Sequence, residues 1–355
     1  MSDEAGLCVA VALLTHERSG VVYRAGGRCS SLLSGVGIDR MTAMPVTPEE
    51  NEKYFKFVSA KAKELGVFEY KPDTIVWHYT DGPGFLGIIE SSTIFATQVS
   101  SLNDRNETKY ATDLFKKSIK QVIEERKDDP AAKDFLQKVL EYVKDDNPEN
   151  PTHGTSKFFV TCFSEVEDDL SQWGRYGGQN GYAIGFYARG LWREPTSALY
   201  KVIYDRAIQE KVSKEIADAT LEFFQAGLTE ERLKDPDKWA QEFFEAWDEW
   251  VYKLAPLAKD VTWKAESEFR LVHELKVQEF RQVRFKQRNT MLGRYIALDT
   301  PSWLKRRTPL LPIAKVIVGP GNHPAFTSVS VRLLLDQTGY EQVPVETTKV
   351  SLQRV

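Results

Sequence analysis

The chain has 355 residues, of which 42% are hydrophobic and 28% charged, and a formal net charge of −4. That is ordinary globular composition, long enough for one large domain or two modest ones with a substantial core. The mild acidity argues against a broad nucleic-acid or anionic-membrane footprint, while leaving room for a local basic patch.

Cys8, Cys29 and Cys162 are widely spaced and odd in number, and there are only five histidines. This points to a reducing compartment and against a disulfide framework or a dedicated zinc site, so no metal is expected. No apolar run approaches the roughly 20 residues of a membrane span. The short run from Leu7 to Leu14 follows Asp3 and Glu4 rather than the basic residues of a secretory leader. The expected address is the cytoplasm, of bacterial type, with no membrane contact.

Residues 1–44, rich in Gly and Ser, read as a loosely structured extension. Residues 45–72 read as an N-terminal helix opened by Pro45-Val46-Thr47-Pro48-Glu49-Glu50, where Thr47 suits the cap and the two glutamates suit the dipole. Residues 73–355 read as one domain. Ile75 to Thr80 is a strand ended by Asp81-Gly82-Pro83-Gly84; a short helix and a strand at 93–97 follow. Long helices are expected near 107–127 and 131–144, and strands at 157–163, 182–186 and 199–204. A helical insertion occupies about 206–258, where Trp239, Phe243, Trp247 and Trp250 recur at helical spacing and read as core. Strands at 294–298 and 313–318, a helix at 324–339 and a strand at 343–351 complete the chain. About eight strands with helices inserted in groups predict an α+β fold rather than a doubly wound one.

The stretch 262–272 reads as a strand on which Glu266, Glu268 and Arg270 line one face while Phe269 and Leu271 enter a core. Strands deplete Glu. The pattern fits either a solvated edge face or a polar site in which neighbouring carboxylates tune one another. Other polar residues stand out. His78 interrupts an apolar strand, as a satisfied core histidine or a ligand-binding one. Asn103, Asp104 and Glu107 stand where a helix begins and suit a capping box. Trp173 and Tyr176 lie in a Gly-flanked segment, where they either seal a core or stack on a flat ring. Asp168 and Asp169 suit a helix N-terminus. Neither a G-x-G-x-x-G after the first strand nor a phosphate-cradling G-x-x-x-x-G-K-[ST] is present.

In order, His78-Tyr79-Thr80, Leu102-Asn103-Asp104 with Glu107, Trp173 with Tyr176, Glu266-Ser267-Glu268-Phe269-Arg270 and Gly319-Pro320 resemble a bacterial family known only as a domain of unknown function, over about residues 75–353. The opening unit is similar, more distantly, to ADP-ribosyltransferases of the His-Tyr-Glu class, including DarT-type nucleic-acid modifiers. That resemblance implies a split mixed sheet with helical insertions. It also implies NAD as substrate, a nucleic-acid or protein acceptor, and a place among toxins or anti-phage effectors. Carried over by position, His78 holds a ribose hydroxyl and Glu268 acts at the nicotinamide ribose with Glu266 beside it. Tyr176 stacks on nicotinamide, with Tyr182 as a rival; Tyr79, Thr80, Trp173, Asn103, Asp104 and Glu107 join the cofactor-binding set, and Arg270 suits a pyrophosphate or an ion pair with Glu107 or Asp104. Two other readings stand beside it: a metal-dependent hydrolase or nuclease built on Asp104, Glu107, Glu266 and Glu268, and an interaction module without chemistry.

Overall fold

The computed structural model describes residues 73–102, 106–144, 157–178, 180–191, 197–244, 255–275, 277–288, 291–299, 310–321 and 323–350, together with 49, 50, 53, 57 and 60. The expected N-terminal extension, Thr47 as a cap, Asn103, Asp104, Trp247 and Trp250 lie outside the described residues, as does the side chain of Glu107. Of the expected helix at 45–72, Glu50 pairs with Arg232 and the Phe57 ring packs edge-on against Phe223.

The described strands are β1 (Ile75–Thr80), β2 (Ile94–Gln98), β3 (Phe158–Ser164), β4 (Tyr182–Tyr187), β5 (Ser197–Lys201), β6 (Glu268–Glu274), β7 (Arg284–Arg288), β8 (Met291–Leu298), β9 (Ile313–Val318) and β10 (Val345–Thr347). They form one mixed sheet in the order β10-β9-β4-β1-β3-β2-β8-β7, with β6 also on β3 and β5 on β6. Only β9 and β10 run parallel. The helices are α1 (Gly82–Ser91), α2 (Asn106–Glu125), α3 (Pro130–Lys144), α4 (Leu170–Tyr176), α5 (Ala188–Leu191), α6 (Arg206–Ala226) and α7 (Pro324–Gln337). The α+β expectation holds. Among the described residues, no helix is long and apolar enough to cross a membrane.

β3 organises the sheet. β6 pairs with it along its whole length, from Phe158↔Glu274 to Ser164↔Glu268. On its other edge β2 meets Phe159 and Val160, whereas β1 meets only Ser164. Between those contacts β1 and β2 diverge, and the sheet opens.

Strand alternation then assigns two faces. Val76, Phe159, Phe163, Ile184, Phe269 and Leu271 join the main core on one side, beneath α1 and α7. Trp77, Tyr79 and Trp173 form a small core on the other, beside a second built from Phe158, Val160, Tyr200 and Val272. A separate helical core joins α2, α3, α6 and helical residues 236–244; Trp239 and Phe243 are buried in it.

Three expectations need correction. The strand expected over 262–272 begins only at Glu268. Before it Val261–Glu266 forms 3-10 turns, capped by the Asp260 carboxylate accepting from the Thr262 amide at 2.9 Å, and Ser267 reverses the chain in the left-handed region at φ 43°. A local side-chain cap outcompetes β-propensity there. The strand expected at 199–204 runs from Ser197 to Lys201, and the terminal strand is limited to Val345–Thr347.

Candidate functional site

α1 starts sharply because Asp81 caps it, its carboxylate accepting from the Gly84 amide at 2.8 Å, and Pro83 follows in the first turn. α4 starts likewise at Asp169, which accepts from the Gln172 amide at 3.0 Å. Asp168 beside it, at φ 55°, accepts from the Trp173 indole at 2.8 Å and from Thr348 and Lys349 of the C-terminal segment. The pair expected at a helix N-terminus is there, with Asp169 as cap and Asp168 as clasp.

A cavity of about 1130 Å³ occupies the opening of the sheet. It is lined from β1 by His78 and Thr80, from β3 by Cys162, from α4 by Arg175 and Tyr176, and from β6 and the turns before it by Lys259, Glu266, Glu268 and Arg270. Arg294 and Tyr295 of β8 line its far end. Among the described residues the lining carries five cationic side chains against three carboxylates, a local inversion of the chain's overall sign.

The heart of the wall is a buried ion cluster. Arg270 grips Glu268 with a two-pronged fork, Nε to Oε1 at 2.9 Å and Nη2 to Oε2 at 3.0 Å, and its Nη1 donates to the Pro256 carbonyl at 2.6 Å. Lys259 Nζ bridges the carboxylates, 2.5 Å from Glu266 Oε2 and 2.9 Å from Glu268 Oε2. Arg175 Nη1 reaches Glu266 Oε1 at 2.6 Å, with the Tyr176 hydroxyl at 3.3 Å from the same oxygen. Lys259, Glu266, Glu268 and Arg270 are all buried, Arg270 at 1% exposure. This rules out the solvated edge face. Burial pushes the Glu268 carboxyl upward, but Arg270, Lys259 and the Cys162 thiol outweigh it and hold the pKa down to about 2. Glu268 is therefore a fixed anion at neutral pH. Burial and the neighbouring Glu266 charge raise the Tyr176 phenol, which stays a neutral donor.

Glu266 reaches the cluster from the turn rather than the strand. The Ser267 reversal returns its carboxylate to the side of Glu268, while its carbonyl accepts from Ser164 Oγ at 2.9 Å. Lys259 Nζ, a fixed cation, occupies the space between the two carboxylates. Among the described residues no group of three metal-type ligands converges.

His78 approaches from the opposite face. Trp77 pairs with Ser164 and Ser164 with Glu268, so those side chains share one face and His78 points to the other. There its ring packs edge-on against Phe163, and Nδ1 lies 3.0 Å from the Cys162 carbonyl on the open edge of β3. An imidazole bonded to a carbonyl donates from that nitrogen, which leaves Nε2 as an acceptor. Burial lowers the His78 pKa, so the ring is neutral at pH 7. His78 and Glu268 do not face each other within one sheet surface; they meet the same cavity through the split.

Two expected contact residues serve the core instead. Trp173 is fully buried, edge-on to Tyr79 at 4.8 Å between ring centres, and does not line the cavity. Tyr182 stacks on Phe85 at 4.3 Å. The Tyr79 hydroxyl donates to the Val166 carbonyl and accepts from the Asp169 amide, which secures α4 to β1. Arg270 pairs with Glu268; Asp104 and the Glu107 side chain, the other partners considered, lie outside the described residues. Lys259 and Arg175 were missed: a lysine in Ala258-Lys259-Asp260 and an arginine in a short helix look solvated in any linear reading.

Residues 172–271 match the family model described as Protein of unknown function (DUF2971). That segment holds the entire ion cluster, Arg175, Tyr176, Lys259, Glu266, Glu268 and Arg270, and excludes His78. It is narrower than the span of about 75–353 over which the motifs resemble such a family. No curated protein and no solved structure matches the chain.

Proposed function

We propose that the chain takes NAD in the cavity through the split sheet and transfers ADP-ribose to an acceptor. The observation that carries this reading is that His78, Tyr176, Glu266 and Glu268, separate in sequence, line one cavity with a cationic surplus. Its volume exceeds the roughly 300–1,000 Å³ of ordinary small-molecule sites, as an extended dinucleotide requires. The cationic surplus suits a pyrophosphate.

In the reaction, the bond between ribose C1′ and the nicotinamide nitrogen breaks with its electron pair going to nicotinamide, which leaves neutral. A nucleophile on the acceptor forms the new bond to C1′ and gives up its proton. Positive charge builds on the ribose ring between those events. Glu268, ionised and immobilised by Arg270 and Lys259, supplies preorganised negative charge. It is too weak a base to take the proton. Glu266 is placed for that task, because its outer partner Arg175 is 44% exposed and able to swing away. His78 Nε2 is available to accept from a ribose hydroxyl.

The test is nicotinamide release from NAD in the presence of DNA, RNA or cell protein. Wild type is expected to turn over, and Glu268→Gln and Glu266→Gln to lose at least about 100-fold, as preorganised charges and bases commonly contribute. No release from wild type with any acceptor, together with no thermal stabilisation by NAD, overturns the proposal.

A further inference from the structure

The β7–β8 hairpin lies at one end of the sheet order, and its Lys286, Gly293, Arg294 and Tyr295 line the end of the cavity away from the ion cluster. Residues 281–294 contain Arg281, Arg284, Lys286, Arg288 and Arg294 and no Asp or Glu, in a chain whose net charge is −4. Ion pairs hold most buried cations elsewhere in the fold. By contrast Arg281, Arg284, Lys286 and Arg294 make no ion pair with a described residue.

Register sorts these side chains by face. Arg284 stands opposite Tyr295 and Lys286 opposite Gly293, while Tyr295 stands opposite Thr97 of β2. Arg284, Lys286, Tyr295 and, two residues before Thr97, Phe95 therefore share one face. The Phe95 and Tyr295 rings lie 4.6 Å apart between centres, and Phe95 is 43% exposed. Phe95, Tyr295 and Lys286 also line the cavity. Phe285, 60% exposed, points to the opposite face beside Arg294.

We infer that this face of the hairpin docks a single-stranded nucleic acid and leads it into the cavity as acceptor, which rests on the transfer reading above. An exposed ring, Phe95, backed by the half-buried Tyr295 and flanked by cations without a described ion-pair partner, is what a flexible polyanion with flat bases needs: charge tracks the phosphates and the rings take the bases. A duplex keeps its bases stacked inward and gains nothing from the rings. Basic residues on an edge strand also deter edge-to-edge pairing, but that role requires neither the Phe95–Tyr295 ring pair nor its place in the cavity wall.

The experiment is fluorescence anisotropy of the full chain with a labelled 12-nucleotide DNA, the same sequence as RNA, and the matching duplex, at several salt concentrations. Both single strands are expected to bind more tightly than the duplex, and the DNA and RNA arms identify the natural source. Affinity should fall with salt at a slope of about −0.7 per phosphate contact. Arg284→Glu should weaken binding at least about tenfold at low salt and flatten that slope. Phe95→Ser should weaken it roughly fivefold to a hundredfold, and Phe285→Ser, on the other face, should leave it unchanged. Equal duplex binding, or equal loss in Phe285→Ser, overturns the assignment. Thermal stabilisation by NAD, measured on wild type and Arg284→Glu, separates the two readings. NAD stabilisation without strand binding removes the acceptor and keeps the cofactor.

Discussion

Lys259→Met tests whether the buried lysine is the counter-charge that lets two carboxylates coexist beneath the sheet. The substitution keeps most of the side chain's length and its apolar stem, and deletes the ammonium with its hydrogen bonds and its place over the Trp263 ring, 5.2 Å from the centroid. Glu268 retains the Arg270 fork, but Glu266 keeps only Arg175, which is 44% exposed, as a described cationic partner, with the neutral Tyr176 hydroxyl at 3.3 Å. Breaking a buried pair from one side costs about 3–5 kcal/mol. With the carboxyl held near 2 folded against 4.5 unfolded, Glu268 alone contributes on the order of 3 kcal/mol at neutral pH.

The sign follows. A depressed carboxylate stabilises the fold fully above its unfolded pKa, and that contribution is lost as pH falls from about 4.5 towards 2. Removing Lys259 raises the folded pKa of Glu268, so acid unfolding of the variant begins at higher pH. Adding Glu266→Gln should restore part of the loss, since the uncompensated charge is gone. Chemical unfolding followed by tryptophan fluorescence across pH 4–8 reads all three effects. A destabilisation below about 1 kcal/mol with an unchanged acid midpoint would refute the cluster as the organising charge balance.

His78 has a lowered pKa through burial, so the folded chain gives up stability as pH drops below about 6.5, where the unfolded ring takes a proton first. His78→Gln should flatten the stability profile between pH 7 and 5, as thermal unfolding at each pH will register. Gly319→Ala should destabilise by about 1–3 kcal/mol, because the added Cβ would lie 2.7 Å from the Trp173 ring and 2.8 Å from the Gly181 carbonyl; an unchanged midpoint would mean that Trp173 is not tightly seated. Ser267→Gly, at a left-handed residue with φ 43°, should be neutral or stabilising by up to about 1 kcal/mol, and Ser267→Val destabilising by more, both read by the same unfolding assay.

The elements that local chemistry controls were legible in one dimension. The apolar β-branched and aromatic runs of β1, β3 and β9 can bury only as central strands, Asp169 caps the helix it precedes, and the helical spacing of Trp239 and Phe243 gives a core stripe. The unusual charge of Glu266, Glu268 and Arg270 was visible too. Its meaning was not, since the same letters serve a wet edge or a dry site. Tertiary structure decided that by bringing Lys259 and Arg175 from segments that look solvated, by reversing the chain at Ser267, and by opening the sheet between β1 and β2 so that residues from opposite faces reach one space. Helix caps and apolar periodicity are satisfied by near neighbours. The balance of buried charge depends on groups up to 91 residues apart, such as Arg175 and Glu266, and only the closed fold selects those partners.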